Sequence, residues 1–248
     1  MNPLASCPSG EVAVRRRARR PKWPLLLLLA CWMPAAAEAP QLVKTVLGNG
    51  PVAAERRCSY TRTRIEGNEV KRERYDATNP AEPWTLVEVN GREPTPGQLR
   101  RYARKADERD RQHPLDFDLR DMVDPDHWEL ESETSTEAVF RFRLRPNEDL
   151  DERLVDKVRG TLVVDKVRLQ PVRITIENTE PAYVAPLVRI AEYTQEMRFQ
   201  WDEAIGASVL TERETEMRGR ALGVRPLREH KLIRYTEYVC DAKVAEAG

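Results

Sequence analysis

This sequence carries no catalytic signature. Its three histidines, His113, His127 and His230, never stand at His-Glu-x-x-His or His-x-x-x-His spacing, so distant segments would have to converge before they could hold a metal. There is no Gly-x-Ser-x-Gly elbow, no phosphate-binding loop and no Gly-x-Gly-x-x-Gly turn, which removes the common hydrolase, nucleotide and dinucleotide sites. Asp116-x-Asp118 and Asp124-Pro125-Asp126-His127 lack the glycine and closing glutamate of a calcium loop and read as solvated turns. No metal, no cofactor and no enzymatic activity are expected. Long apolar runs are missing too. Leu25 to Met33 is about nine residues, against the roughly 20 that a bilayer-spanning helix requires, so no stable membrane span is expected.

Charge is balanced overall but unevenly placed. Residues 1–37 hold six basic side chains (Arg15, Arg16, Arg17, Arg19, Arg20, Lys22) against Glu11 alone, which leaves 35 basic and 40 acidic residues in the remainder. A body of net charge −5 is unsuited to displacing phosphate counterions, so nucleic acid is excluded as a partner. The basic stretch precedes the Leu25–Met33 run, and the small residues Ala35-Ala36-Ala37 follow it. Residues 1–37 are therefore expected to be a signal peptide cleaved before Glu38, delivering the protein to the periplasm. The alternative is a lipoprotein anchored at Cys31, because Leu28-Leu29-Ala30-Cys31 loosely resembles a lipobox.

Of four cysteines, Cys7 and Cys31 lie in that leader. Cys58 and Cys240 remain, one heading the first strand-like segment and the other ending the last. A disulfide between them is expected in an oxidising compartment. A catalytic thiol is the rival reading, and it lacks a Cys-x-x-Cys spacing or a neighbouring histidine.

Prolines and glycines make residues 38–57 read as a linker, 58–241 as the folded domain and 242–248 as a disordered tail. Within the domain, Ser59–Ile65 and Val70–Tyr75 flank a Glu66-Gly67-Asn68 turn. Strands are also predicted at Trp84–Val89, Trp128–Glu131, Ala138–Leu144, Gly160–Val164, Val167–Leu169, Val172–Ile176, from Val209 to about Arg218, and at Lys231–Cys240. One helix is predicted from Pro96 to about Gln112, where Thr95 and Gln98 form a capping box and Leu99, Tyr102, Ala103 and Ala106 share a face. The expected fold is mainly β: an antiparallel open β-barrel of about ten strands with a lid or plug helix.

The chain is organised around Arg189–Trp201. At every second residue it shows Ala191, Tyr193, Met197, Phe199 and Trp201, with Gln195 the one polar intruder, while Glu192, Thr194, Glu196, Arg198 and Gln200 face the other way. Such a strand is stable only across a core or beside an apolar cavity. Tyr193, Met197, Phe199 and Trp201 are the candidate ligand-lining residues; the competing reading makes them packing for the helix.

Arg159-Gly160-Thr161-Leu162-Val163-Val164-Asp165, then Leu169-Gln170-Pro171-Val172-Arg173, and the ending Ile233-Arg234-Tyr235-Thr236-Glu237-Tyr238 resemble the strand pairs of the LolA/LolB-like superfamily of periplasmic lipoprotein-sorting proteins. The resemblance spans about residues 55–240. It implies an unclosed barrel cupped around helices, with a groove for acyl chains. The expected function is a non-enzymatic carrier of a hydrophobic or acylated ligand. The alternative is a structural or interaction protein of the envelope, with a self-filled core and other envelope proteins as partners.

Overall fold

Alternation of side chains along strands builds almost the whole molecule. The computed structural model describes residues 38–48, 58–105, 123–146 and 155–241. Eleven strands, β1 (Cys58–Glu66), β2 (Glu69–Tyr75), β3 (Trp84–Val89), β4 (Val123–Glu133), β5 (Glu137–Leu144), β6 (Val158–Asp165), β7 (Gln170–Asn178), β8 (Ala182–Ala185), β9 (Val188–Asp202), β10 (Ala207–Ala221) and β11 (Arg225–Cys240), are joined by helices α1 (Glu38–Gly48) and α2 (Pro96–Ala103). They form one antiparallel sheet in the order β3-β2-β1-β11-β10-β9-β7-β6-β5-β4, with β8 beside the start of β9. β3 and β4 end the sheet without pairing, so it is open. The expected leader (1–37), residues 49–57 of the expected linker, the end of the predicted helix and the expected tail (242–248) lie outside the described residues.

β5 shows how sequence sets the faces. Ala138, Phe140, Phe142 and Leu144 are buried, while Arg141 turns outward and donates to Glu129 and Glu131 at 3.3 and 2.7 Å. Each large apolar side chain so buried is worth about 1.5–3 kcal/mol. Phe142 lies across Gly160, its partner on β6, so closely that a Cβ there would meet the ring at 2.1 Å. The inner row runs unbroken from Phe140 through Leu162, Ile174 and Met197 to Arg213, Ile233, Arg64 and Lys71.

The first and last strands meet in mid-sheet. Cys58 faces Cys240 in that pairing, and a disulfide joins them. This places the chain with proteins of oxidising, non-cytoplasmic compartments.

Four local expectations are corrected. Residues 38–48 of the expected linker form α1, because Leu42, Val43, Val46 and Leu47 make a stripe that packs into the core. Pro40 is harmless there, since the first-turn N–H groups have no intrahelical partner to lose. Val167–Leu169 is a turn and not a strand: the Asp165 carboxylate accepts from the amides of Val167 and Arg168 at 2.8 and 3.0 Å and curls the chain. β6 pairs instead with β7. Ala191 is exposed and not on the apolar side, because β9 gains one residue against β10 between Glu192 and Ile190, and the bulge turns Ile190 inward. Finally, the predicted helix has its full capping box at Thr95 and Gln98 but stops at Ala103, with Arg104 as its C-cap and Lys105 in a turn, and it buries none of its side chains completely; α1 is the helix that fills the core.

Candidate functional site

The four residues singled out in β9 share one face, as their spacing requires. Met197 is fully buried between its partners Arg213 and Ile174, and Phe199 is 8% exposed beside Leu210. Tyr193 is half-buried, with its hydroxyl donating to Gln195 Oε1 at 2.7 Å, and burial pushes that hydroxyl's pKa up. Trp201 is half-buried, with the Arg168 guanidinium 5.7 Å from its ring centre. The structure thus brings the four together, and Met197 and Phe199 form part of the principal core.

The more unusual chemistry lies on the same face, several strands away. Arg62 of β1 and Glu73 of β2 are cross-strand partners, each 1% exposed, and the Arg62 Nε donates to Glu73 Oε2 at 2.7 Å. Burial pushes the Glu73 carboxyl up, but the charge and hydrogen bond of Arg62 more than reverse this and hold it below the usual range. A hydrogen bond from Tyr102 of α2 acts in the same direction. For Arg62, burial alone would lower its affinity for the proton, and Glu73 overturns that as well. The Arg62 guanidinium also sits 3.8 Å over the Trp84 ring.

Around this pair stands an aromatic cage. Tyr60 stacks on Tyr75 at 5.1 Å and meets Trp84, Tyr235 and Tyr238 at 5.9, 5.8 and 5.6 Å. Burial raises the hydroxyl pKa of Tyr60, Tyr235 and Tyr238, so these groups stay neutral near neutral pH. Lys231, facing Glu66 on β1 and Thr215 on β10, is pushed down by burial first and by the Arg64 charge second. Two buried donors on this face, Arg62 Nη2 and Arg213 Nε, have no hydrogen-bond partner among the described residues. Unmatched buried donors of this kind are uncommon and invite an acceptor from outside the chain.

No family model, curated protein or solved structure matches this chain.

The site must therefore be read from its own residues. A buried carboxylate committed to a guanidinium is a poor general base, and the described histidines stand elsewhere, exposed on the opposite face. His127 bonds to Asp124 at 2.7 Å, and the stretch Asp124–His127, expected as a solvated turn, instead begins strand β4. His230 bonds to Glu214 at 2.9 Å, and these two with Glu216 place their ligand atoms within 4.8 Å of one another. Histidine spacing along the chain could not have suggested this trio, because the register of β10 with β11 creates it. His113, Asp116 and Asp118 lie outside the described residues. Among those described, no helix is long and apolar enough to cross a membrane.

Sequence reasoning also missed Arg62 and Glu73. The only available signal was the rule that Tyr60 and Arg62 must share a face, two residues apart.

Proposed function

We infer that this is an exported, non-enzymatic binding protein of the periplasm, cleaved near Glu38, which carries an amphiphilic ligand on the inner face of its open sheet. The observation that carries this reading is the gradient along that face. Phe140, Leu162, Ile174 and Met197 form a purely apolar track that the chain buries in one core with α1, so a ligand would have to displace α1 to reach it, and the track ends at Arg213, whose buried Nε has no hydrogen-bond partner among the described residues. An acyl chain on the track would gain on the order of 0.8 kcal/mol per methylene, and an acidic head would meet Arg213, Arg64 and Lys231. The disulfide agrees with an oxidising compartment, and the resemblance to the LolA/LolB-like proteins points to the same class of ligand.

A second reading, an envelope protein whose core is filled by its own side chains, is favoured by the burial of Met197 and Phe199. One variant separates the two. If Phe199 touches ligand, Phe199→Ala weakens binding of a fluorescent fatty-acyl probe several-fold at little cost in stability. If it is only core, the change lowers unfolding stability by about 3–5 kcal/mol and the wild type binds no probe. Native mass spectrometry of protein isolated from the periplasm supplies the independent check, a co-purified lipid.

A further inference from the structure

The exposed end of the long strands is built for contact with something apolar and anionic. β9, β10 and β11 are 15, 15 and 16 residues long. β1 leaves β11 at Lys231, and β7 leaves β9 at Thr194. Beyond those points, among the described strands, only β8 accompanies them. The stretch of β11 from Lys231 back to Arg225 therefore extends about 20 Å past β1.

Its two turns lie side by side, the Leu222 amide donating to the Leu187 carbonyl at 2.7 Å. There the chain exposes Tyr183, Val184, Leu187, Leu222 and Val224, which are 50–83% accessible. The backbone makes this more pointed. Leu187 (φ 67°) and Leu222 (φ 53°) occupy the left-handed region, where a bulky side chain is disfavoured and glycine or asparagine is usual. The other non-glycine residues with positive φ have evident compensation. Asn90 is a favoured type, Leu169 packs on the core, and Glu237 accepts hydrogen bonds from Thr61 and Arg72 at 2.6 and 2.9 Å. Leu187 and Leu222 carry the same backbone cost while most of each side chain stays in water, so their apolarity calls for a reason outside folding.

Charge supplies the rest. Residues 181–191 and 218–228 contain five arginines, at 189, 218, 220, 225 and 228, and no acid. All five are exposed. Arg218 reaches Glu192 at 3.2 Å, and the other four form no ion pair among the described residues.

We propose that this end docks on an anionic phospholipid bilayer, with Leu187, Leu222 and Val224 entering the boundary between headgroups and acyl chains and the arginines meeting lipid phosphates. Apolar residues at projecting turn tips, ringed by cations of one sign, suit a soft interface better than a protein groove. The inference does not depend on the inner face holding a ligand.

Co-sedimentation of the full chain with phosphatidylcholine vesicles, with and without phosphatidylglycerol, tests it. The wild type pellets with the anionic vesicles and is released as salt shortens the screening length. Leu187→Asn/Leu222→Asn/Val224→Ser keeps the left-handed turns accessible and loses at least tenfold in partitioning. Arg220→Gln/Arg225→Gln loses roughly fivefold per arginine on anionic vesicles only. Circular dichroism verifies that each variant is folded; if the triple variant is not, the arginine pair decides. Failure of the wild type to pellet overturns the proposal and points to a protein partner. Undiminished pelleting of the folded variants also overturns it, because binding then resides elsewhere in the chain.

Discussion

Two halves of one sheet face solve the same problem differently. From Phe140 to Met197 the inner row buries only carbon and sulfur, whereas from Arg213 through Ile233 and Arg64 to Lys71 the same row carries three cations. The apolar half is stabilised by removing surface from water, a term that needs no partner and little precision. The charged half depends on geometry. Arg62 and Glu73 have lost their hydration and regain stability only through the bond between them, the hydrogen bond from Tyr102 and the Trp84 face. Alternation and register are equally regular in both halves, so period alone does not decide what a strand buries.

The largest effect should come from breaking the buried pair. Arg62→Met leaves a carboxylate buried without its cation and is expected to lower unfolding stability by about 3–5 kcal/mol, whereas Arg62→Met/Glu73→Leu should return to within about 1 kcal/mol of wild type. Urea denaturation of the two variants measures the difference. A single variant as stable as the double would mean that Glu73 finds water or another cation, and the contrast between the halves would collapse.

The apolar half should fail by crowding. In Gly160→Ala the added methyl falls 2.1 Å from the Phe142 ring, so either the ring or β6 must move. The expected cost is about 1–3 kcal/mol by the same denaturation. A neutral outcome would show that this half is looser than its burial suggests.

This contrast also explains what could be read in the sequence. β5 was legible because Phe140, Phe142 and Leu144 alternate with Arg141 and Arg143, and the central part of β9 for the same reason. β1 was legible as a strand but not as a site. Both of its faces carry polar groups, Ser59, Thr61 and Thr63 on one and Arg62 and Arg64 on the other, so hydropathy did not reveal that Arg62 is buried. α1 was hidden by Pro40 and Gly48, which are breakers within a helix but tolerated at its ends. Bulges were illegible because they depend on both strands at once. At Ala191 the partner β10 decides which residue turns inward, and at Glu237 the extra residue of β11 is held by bonds to Thr61 and Arg72.

The smallest expected effect concerns Lys231, and its sign is opposite to that of Arg62. Burial, helped by the charges of Arg64 and Arg62 and opposed by Glu66 and Glu229, lowers the Lys231 pKa from the ordinary 10.5. In the native state the ammonium is thus disfavoured relative to the unfolded chain. Between the lowered native pKa and 10.5 the unfolded state binds more protons, so this group makes stability rise with pH across that window. Below the native pKa the penalty is fully present. Lys231→Met removes the penalty and is expected to raise stability at neutral pH by up to about 1 kcal/mol, as well as flattening the alkaline rise. Tyr60, Tyr235 and Tyr238 have raised pKa values and work the other way above pH 10, losing stability as pH climbs. The comparison is therefore the difference between variant and wild type from pH 7 to about 9, below the ordinary tyrosine pKa of 10.0, where the tyrosines contribute little. A variant less stable than wild type at pH 7 would show that Lys231 is held by its acidic neighbours after all, which would make the charged half a satisfied network with no standing demand for an outside anion.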